Sequence, residues 1–256
     1  MKKIFTKSLF IAILVSVVAS ANAQTDSVKV KGMGKNLFKV SLTSLALNTY
    51  SFSYERKIGN KISLGLGYRV MPEGELPLKS NFESIIDDPE TFKHVDNLVT
   101  GNTAITPEIK FYFGKGVFRG FYIAPFARIA KYTAKLSTFE YTYEHPTEGD
   151  KTETIPLNGE LKTLTGGLLF GAQWKLSKLI YLDWSIIGPQ YGKSEGFLKG
   201  TKTLSPEEQD ALREELEGLE IPLVDSETTV DSQGARVDFT GPWAGVRASI
   251  GLGFRF

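Results

Sequence analysis

The chain is built from short segments in which apolar and polar residues alternate. The last segment is the most regular: between Val246 and Phe256 every even position is apolar, and every odd position is glycine, serine or arginine. Successive side chains of a β-strand point to opposite faces of the sheet. This period of two therefore predicts a strand with one apolar and one polar face.

Seven further segments alternate in the same way, the first of them less regularly. Their apolar faces are formed by Phe38, Val40 and Leu42; Tyr50, Phe52 and Tyr54; Ile62, Leu64, Leu66, Tyr68 and Val70; Pro107, Ile109, Phe111 and Phe113; Phe121, Ile123, Pro125, Ala127 and Ile129; Leu168, Phe170, Ala172 and Trp174; and Ile180, Leu182, Trp184 and Ile186. We expect the first strand to continue to about Leu47. The pattern thus predicts an all-β protein of eight strands.

The connections between these segments alternate in length. Apart from a tight first turn, short connections fall at 57–61, 114–120 and 176–178, and long ones at 72–103, 137–159 and 189–241. Antiparallel strands with short turns at one rim and long loops at the other are typical of bacterial outer-membrane barrels. A sheet in a bilayer must close, because lipid offers no partner to an edge strand. The sequence therefore predicts an eight-stranded antiparallel up-and-down transmembrane β-barrel with short helices in the long loops.

The alternation alone does not decide which face points outward. A soluble lipocalin-like barrel would bury the apolar face instead. Three features favour a membrane barrel: the unequal loops, the final aromatic residue Phe256, and aromatic residues beside the short turns that would form an interfacial girdle. These aromatic residues are Phe111, Tyr112, Phe113, Phe118, Phe121 and Tyr122.

The first 23 residues have the pattern of an export signal. A basic start is followed by an apolar run from Leu9 to Val18 and by the small-residue site Ala21-Asn22-Ala23. The apolar run is shorter than the ~18 residues of a membrane span, which disfavours a retained anchor helix. We expect a signal peptide at 1–23, a periplasmic N-terminal segment at 24–36 and the barrel at 37–256. The lack of cysteine excludes disulfides and a lipid-modified cysteine.

Several stretches resemble known barrel families. The export signal, the eight strands and the terminal Gly253-Phe254-Arg255-Phe256 resemble the small outer-membrane barrels of Gram-negative bacteria typified by OmpX and the transmembrane part of OmpA. The stretches 120–128 and 183–192 resemble a poorly characterised group of such barrels found mainly in Bacteroidota. This resemblance covers about 37–256 and implies fold and location rather than activity. It also implies that the barrel-assembly machinery recognises Leu252, Phe254 and Phe256.

A barrel with an apolar exterior places the polar rows of its strands inside. The charged residues in these rows are Glu55, Arg69, Glu108, Lys110, Arg128, Asp183, Arg247 and Arg255. An eight-stranded bore is about wide enough for side chains, and an uncompensated charge there would cost several kcal/mol. We therefore expect an interior ion-pair network. A proton or ion path is the alternative interpretation.

The charge distribution bears on possible partners. The chain carries a formal net charge of +1, which becomes −2 without residues 1–23, so a nucleic-acid partner is not expected. The long connections carry seven acidic against two basic residues at 72–104, five against one at 137–159 and twelve against five at 189–241. These segments would form an acidic, outward-facing crown. Divalent cations are possible ligands, but no ordered calcium spacing is present, so neither a metal nor another cofactor is predicted.

Two of the long connections contain helix signals. Ser205-Pro206-Glu207-Glu208 has the pattern of a capping box, and Leu212, Leu216 and Leu219 recur at helical spacing up to a break at Gly218. A shorter helix is predicted from Asp88-Pro89-Glu90, with Phe92, Val95 and Val99 on one side. Short helices need a partner for their apolar stripe. We expect them to pack together as a lid over the barrel, and a docking groove for an external partner is the alternative.

Little in the sequence points to catalysis. The two histidines, His94 and His145, lie far apart in loop regions. The sequence has neither a G-x-S-x-G elbow nor an H-E-x-x-H helix nor a phosphate-binding glycine loop. We therefore expect a non-enzymatic outer-membrane protein with a structural or surface-interaction role. Its partners would be outer-membrane lipids, the assembly machinery and an extracellular ligand at the loops. A lipid-modifying enzyme and a narrow uptake barrel are the alternatives.

Overall fold

A computed structural model describes residues 34–75, 98–218 and 223–256. The predicted signal peptide, most of the segment 24–36 and most of the helix predicted after Asp88 lie outside these described residues. The elements are β1 (Asn36–Ser41), α1 (Leu42–Ala46), β2 (Tyr50–Lys57), β3 (Ile62–Glu75), β4 (Leu98–Tyr112), β5 (Gly120–His145), β6 (Gly149–Lys175), β7 (Ile180–Thr201), α2 (Pro206–Glu217), β8 (Asp225–Asp231) and β9 (Gly234–Arg255). Neither helix has the length and apolar character of a membrane-spanning helix.

Eight of the strands form a closed ring. Each strand from β1 to β7 pairs antiparallel with the next, β7 pairs with β9, and β9 pairs back with β1. Phe38 in β1 thus lies opposite Tyr54 on one side and Phe254 on the other. The ninth strand, β8, pairs only with the outer part of β9. The predicted eight-stranded antiparallel barrel is confirmed, and its closure removes the edges that an open sheet would expose.

Four strands of the ring are much longer than a bilayer requires. β5, β6, β7 and β9 have 26, 27, 22 and 22 residues, whereas a spanning strand needs about 9–11. The prediction of long loops at 137–159 and 189–241 was wrong for this reason, since both regions consist largely of continuing strand. The alternation is interrupted at the first of these regions by a bulge between Leu136 and Phe139, which shifts the register.

The first strand ends earlier than the alternation predicts. The hydroxyl of Ser41 accepts a hydrogen bond from the backbone N–H of Ser44 at 3.2 Å and so caps α1. Asn48, with a φ of 54°, then returns the chain to β2. The prediction that β1 continues to Leu47 was wrong, because this N-cap competes with further strand pairing.

The second helix confirms the predicted capping box. The Ser205 hydroxyl accepts from the Glu208 N–H at 3.3 Å, and the Glu208 carboxylate accepts from the Ser205 N–H at 2.8 Å. Pro206 occupies the first turn, and Gly218 ends the helix. α2 packs with the outer ends of β5 to β9. We call residues 136–157 and 198–237 the extension, of which 219–222 are outside the described ranges.

Candidate functional site

The outer wall of the ring is apolar. Trp184 and Ile250 are 43% and 41% exposed, whereas Arg128, on the opposite face, is only 6% exposed. We use the name apolar belt for the exposed side chains Leu64, Leu66, Ile105, Ile109, Phe111, Phe113, Phe121, Ile129, Leu164, Phe170, Trp184, Ile187, Val246 and Ile250. The apolar rows of side chains on the strands therefore face outward, as the sequence predicts.

Four charged side chains meet inside the ring. Lys39 from β1, Glu55 from β2, Lys110 from β4 and Asp183 from β7 are all buried, and we call them the central quartet. The Nζ of Lys39 lies 2.8 Å from Glu55 Oε2 and 2.5 Å from Asp183 Oδ2. The Nζ of Lys110 lies 3.2 Å from Asp183 Oδ2 and 3.4 Å from Glu55 Oε2. Each charge thus faces two charges of opposite sign, and the quartet is neutral as a whole.

Neutral side chains complete the quartet's hydrogen bonds. Ser63 donates to Glu55 at 2.5 Å, Tyr122 donates to Asp183 at 2.8 Å, and Tyr112 donates to Glu55. The amide of Gln173 donates to both carboxylates, at 3.1 Å and 2.9 Å. A methyl group at Gly171 would clash with the Tyr122 ring, so glycine is required there. A buried ionic network with its partners in place holds one arrangement of the surrounding strands.

Three arginines lie beyond the quartet in the same bore. Arg69, Arg128 and Arg247, the arginine trio, line a cavity of about 70 Å³ together with Glu108 and Thr106. Arg128 Nη1 donates to the Thr106 hydroxyl at 3.3 Å, and Arg247 Nη1 lies 3.9 Å from Glu108 Oε2. Among the described residues, no hydrogen-bond partner is found for three buried atoms of the trio. These atoms are Arg69 Nε, Arg128 Nε and Arg247 Nη1.

The bore is filled with aromatic residues at its short-turn end. Phe118, in the turn between β4 and β5, is fully buried and packs edge-on against Tyr181 with ring centroids 6.1 Å apart. Arg255 donates to the Tyr181 hydroxyl and to the Gly34 carbonyl, both at 2.7 Å. The remaining members of this plug are Leu37, Tyr112, Val117, Tyr122, Ala124, Phe126 and Leu169.

The plug corrects the predicted aromatic girdle. Phe111, Phe113 and Phe121 are exposed on the outer wall, but Tyr112, Phe118 and Tyr122 lie inside. Tyr112 has the same strand parity as Lys110, and Tyr122 the same parity as Arg128, so a period of two already placed both side chains inward. Phe118 reaches the bore because its turn folds back with a φ of 68°.

The structure distributes the predicted interior charges over three places. Glu55, Lys110 and Asp183 meet in the quartet, with Glu108 Oε1 3.6 Å from Lys110 Nζ. Arg69, Arg128 and Arg247 form the trio, and Arg255 lies at the plug. Sequence reasoning missed Lys39, although this residue has the inward parity of its strand. It also missed Gln173, whose neutral amide gave no charge signal.

A second polar network lies in the extension. Lys202 Nζ donates to the Tyr141 hydroxyl at 2.8 Å and to Glu153 at 3.1 Å, and Tyr141 donates to Glu208 at 2.9 Å. Burial opposes the charge of Lys202, but hydrogen bonds from its ammonium to Tyr141 and Glu153 raise its pKa to about 12. Burial likewise opposes the charge of Glu208, but hydrogen bonds from Ser205, Tyr141 and Lys202 hold its pKa below the ordinary value.

This network borders an apolar core. Leu212 and Leu216 of α2 are 0% and 3% exposed. They pack with Tyr141, Ile155, Leu157, Leu204, Val230 and Ala235, which with the two leucines form the extension core. The predicted apolar stripe of α2 is thus covered by the extended strands. Of the second predicted helix only Val99 is described, and it lies in β4.

Apart from the buried Glu208, the described acidic residues of the extension lie at its outer surface, and several of them form ion pairs. Glu153 pairs with Lys202, and Asp238 accepts from Arg236 at 2.5 and 2.6 Å. His145 lies near the hairpin tip, where its Nδ1 is 3.3 Å from the Thr147 hydroxyl. His94 is outside the described residues. Across the described ranges no group of three or more histidine, aspartate or glutamate side chains is arranged to hold a metal ion.

The terminal strand places two of the predicted assembly residues on the outer wall. Phe254 and Phe256 are 42% and 53% exposed, and their rings stack with centroids 6.4 Å apart. Leu252 is partly buried between the neighbouring strands. Recognition of these residues by the assembly machinery stays a prediction.

Comparisons with known proteins give a family but no activity. The family described as "Protein of unknown function (DUF3575)" matches residues 9–199. The structure is similar to the N-terminal β-barrel domain of OprF from Pseudomonas aeruginosa, with 8% identity, a TM-score of 0.24 and coverage of 88% of this chain and 100% of that one. It is also similar to the outer membrane protease OmpT from Escherichia coli, with 11% identity, a TM-score of 0.34 and coverage of 88% and 93%. No curated protein matches the sequence.

Proposed function

The chain belongs to the DUF3575 family and folds as a closed β-barrel. We propose that it is a non-enzymatic, non-conducting outer-membrane barrel, and that its extension is extracellular and serves as its interaction surface. The apolar belt carries this proposal. The resemblance to OmpX-like and OmpA-like barrels, and to the Bacteroidota group, is part of the same proposal and rests on the stretches 120–128, 183–192 and 253–256.

The belt supports a membrane location because its extent is unfavourable in water. Phe113, Phe121, Ile129 and Val246, on three different strands or turns, are each 59–69% exposed. Soluble monomers rarely expose contiguous apolar patches above a few hundred Å². A closed ring with a polar interior is one of the two structures that can satisfy every backbone group in hydrocarbon. The apolar exterior of the barrel therefore suits a lipid environment.

The filled bore supports a structural role over transport. The plug closes the short-turn end, and the central quartet spans the ring with side chains from β1, β2, β4 and β7. Both obstacles consist of packed side chains of the barrel strands and their turns rather than of a separate movable segment. Eight-stranded barrels of this size are normally filled in this way.

The extension supports a surface role. It extends well beyond the length that crosses a bilayer, has its own apolar core and, apart from the buried Glu208, keeps its described acidic residues at the outer surface. An ordered surface loses less conformational entropy when a partner binds than a flexible loop does. The contacts of His145 are to Thr147 and the Tyr143 ring, which supports a non-catalytic position at the hairpin tip.

Gel migration of the detergent-extracted protein tests the barrel and the belt together. We expect the unboiled protein to migrate differently from the boiled one. Leu66→Arg, in the middle of the belt, should reduce the folded fraction because a lipid-facing arginine near the midplane costs ~2–4 kcal/mol. Thr154→Arg, on the outer face of the extension, is the matched control and should leave folding unchanged. Equal migration with and without boiling, or equal effects of both arginines, would contradict the proposal.

Cysteine labelling tests the orientation, since the chain has no cysteine of its own. Thr147→Cys lies at the tip of the extension, and Ser177→Cys lies in the short turn between β6 and β7. A membrane-impermeant maleimide on intact cells should label Thr147→Cys, and should label Ser177→Cys only after lysis. The reverse pattern would place the extension in the periplasm.

A further inference from the structure

The bore holds more positive than negative charge beyond the quartet. The cavity wall contains Lys39, Lys110 and the three arginines of the trio, against Glu108 and Asp183. Adding the buried Glu55 gives five cations and three carboxylates, an excess of two positive charges within this described part of the bore. Since the quartet is neutral, the excess belongs to the trio. Such an excess in a narrow, partly buried space favours the binding of a compensating anion.

The strand order places the three arginines of the trio around the same cavity. Arg69 is on β3, Arg128 on β5 and Arg247 on β9, and these strands occupy the third, fifth and eighth positions of the closed ring. The three side chains therefore approach the bore from directions spread around its whole circumference. Each guanidinium lies within electrostatic range of the other two. Like charges held together in this way repel one another unless an anion lies between them.

Three buried hydrogen-bond donors of the trio have no hydrogen-bond partner among the described protein atoms. Arg128 is 94% buried, yet its Nε has no hydrogen-bond partner. The buried Nε of Arg69 and the buried Nη1 of Arg247 likewise have no hydrogen-bond partner. Glu108 cannot neutralise the trio alone, because it lies 3.9 Å from Arg247 and is shared with Lys110. Buried donors in native proteins nearly always have a partner. These three therefore point to a ligand that accepts several hydrogen bonds.

We propose that the arginine trio binds a tetrahedral oxyanion, phosphate or sulfate, inside the barrel. Guanidinium groups match the oxygens of such anions through paired N–H donors. Three arginines from three directions fit three or four acceptor oxygens better than the two of a carboxylate. The cavity of about 70 Å³ is several times the ~10–15 Å³ that one water requires, so a small anion fits. The site does not depend on the proposed surface role.

The experiment uses the full chain in dodecyl maltoside, a detergent without phosphate. The unfolding midpoint is followed while inorganic phosphate or sulfate replaces chloride at constant ionic strength. We expect both oxyanions to raise the midpoint of the wild type in a saturable way, as a ligand of the folded state does. ³¹P line broadening gives a second measure of phosphate binding. A midpoint that responds equally to chloride and to both oxyanions would overturn the site.

Two variants and a matched control locate the binding. Arg128→Gln and Arg247→Gln should each weaken the apparent affinity for phosphate about tenfold or more, because a charge-assisted pair of hydrogen bonds is lost. Arg236→Gln, on the same strand as Arg247 but in the extension and paired with Asp238, should bind phosphate like the wild type. If Arg128→Gln does not fold, Arg247→Gln at a partly exposed position and Arg69→Lys decide the outcome. Arg69→Lys keeps the positive charge but loses the paired N–H donors of the guanidinium group. Equal phosphate affinity in wild type and trio variants overturns the proposal.

A lipid arm distinguishes the source of the anion. The protein is reconstituted in vesicles of phosphatidylglycerol without free phosphate and compared with the dodecyl maltoside sample. A trio-dependent rise of the midpoint in phosphatidylglycerol, with no further rise on adding phosphate, assigns the site to a lipid headgroup. A further rise with free phosphate assigns it to the soluble anion. Both results require that the rise of the midpoint is lost in the trio variants. A rise that persists in the trio variants would contradict the site.

Discussion

The barrel and the extension share the same strands but differ in their interiors, since the barrel encloses charged side chains beside its plug whereas the extension core is mainly apolar. On β6, the inward side chains of the barrel include Thr165 and Gln173, whereas Ile155 and Leu157 face inward in the extension. On β5, Arg128 faces the bore and Tyr141 faces the extension core. The outer faces are reversed as well, since Leu164 and Phe170 lie outside the barrel and Thr154 lies outside the extension.

The proposed membrane location accounts for this difference, because the surroundings of a strand then select which of its two rows of side chains is buried. In the proposed membrane location, hydrocarbon around the barrel accepts the apolar rows, so the polar rows turn inward and must neutralise one another. Water around the extension accepts the polar rows, so the apolar rows turn inward and need a cover. α2 provides that cover with Leu212 and Leu216.

The largest effect is expected from breaking the ionic core of the barrel. Asp183→Asn removes the carboxylate charge that Lys39 and Lys110 share, and removing one partner of a buried pair costs ~3–5 kcal/mol. Urea unfolding of the reconstituted protein, followed by gel migration, measures this loss. Asp210→Asn on α2, whose side chain is 81% exposed, is the matched control and should have almost no effect. A small loss for Asp183→Asn would mean that the quartet does not hold the barrel together.

An intermediate and more local effect is expected in the extension core. Leu212→Ala removes a fully buried side chain, which typically costs 2–5 kcal/mol. Hydrogen exchange should become faster in α2 and β8, while the gel migration of the barrel stays unchanged. Leu223→Ala is the control, because Leu223 is 84% exposed. If Leu212→Ala unfolded the barrel as well, the two cores would form one cooperative unit.

The smallest effect is expected from pH on the extension alone. The pKa of Glu208 is lowered from 4.5, so its stabilising contribution is present above about 4.5 and is lost as pH falls through the lowered value. The pKa of Lys202 is raised from 10.5 to about 12, so its contribution is present below 10.5 and is lost as pH rises through about 12. The protection of α2 amides, measured as the exchange rate relative to the intrinsic rate at each pH, should therefore be greatest between these limits.

Two variants of neighbouring residues test the acid side of this window. Glu208→Gln should remove much of the acid-induced loosening of α2, because the capping group no longer titrates. Glu207→Gln, one residue earlier and exposed, should leave the acid response as in the wild type. Identical pH profiles for both variants would show that the capping carboxylate does not control the helix.

Much of the barrel was predictable because its signals are local. The alternation from Val246 to Phe256 predicts β9 and its outward face, and the capping box at Ser205 predicts the start of α2. The inward positions of Glu55, Lys110 and Asp183 follow from the same parity. Lys39 was also accessible to this reasoning, but the irregular continuation of the first strand concealed its position.

Other features depend on tertiary context and were missed. The predicted loops at 137–159 and 189–241 are mostly strand. A bulge between Leu136 and Phe139 breaks the period in the first of them, and in the proposed membrane location neither outer face would need to be apolar. Phe118 lies in a turn and reaches the plug through the path of the backbone, which no periodic pattern describes.

The sequence by itself determined the number of ring strands, the two faces of each and the cap of α2, because these depend on neighbours within a few residues. Only the tertiary structure decided which charges meet: Lys39 and Asp183 are 144 residues apart and come together because the ring closes in one register. The same closure leaves Arg69, Arg128 and Arg247 without enough carboxylates nearby. Local sequence sets the polarity of a row, whereas register and closure set the charge balance across the bore.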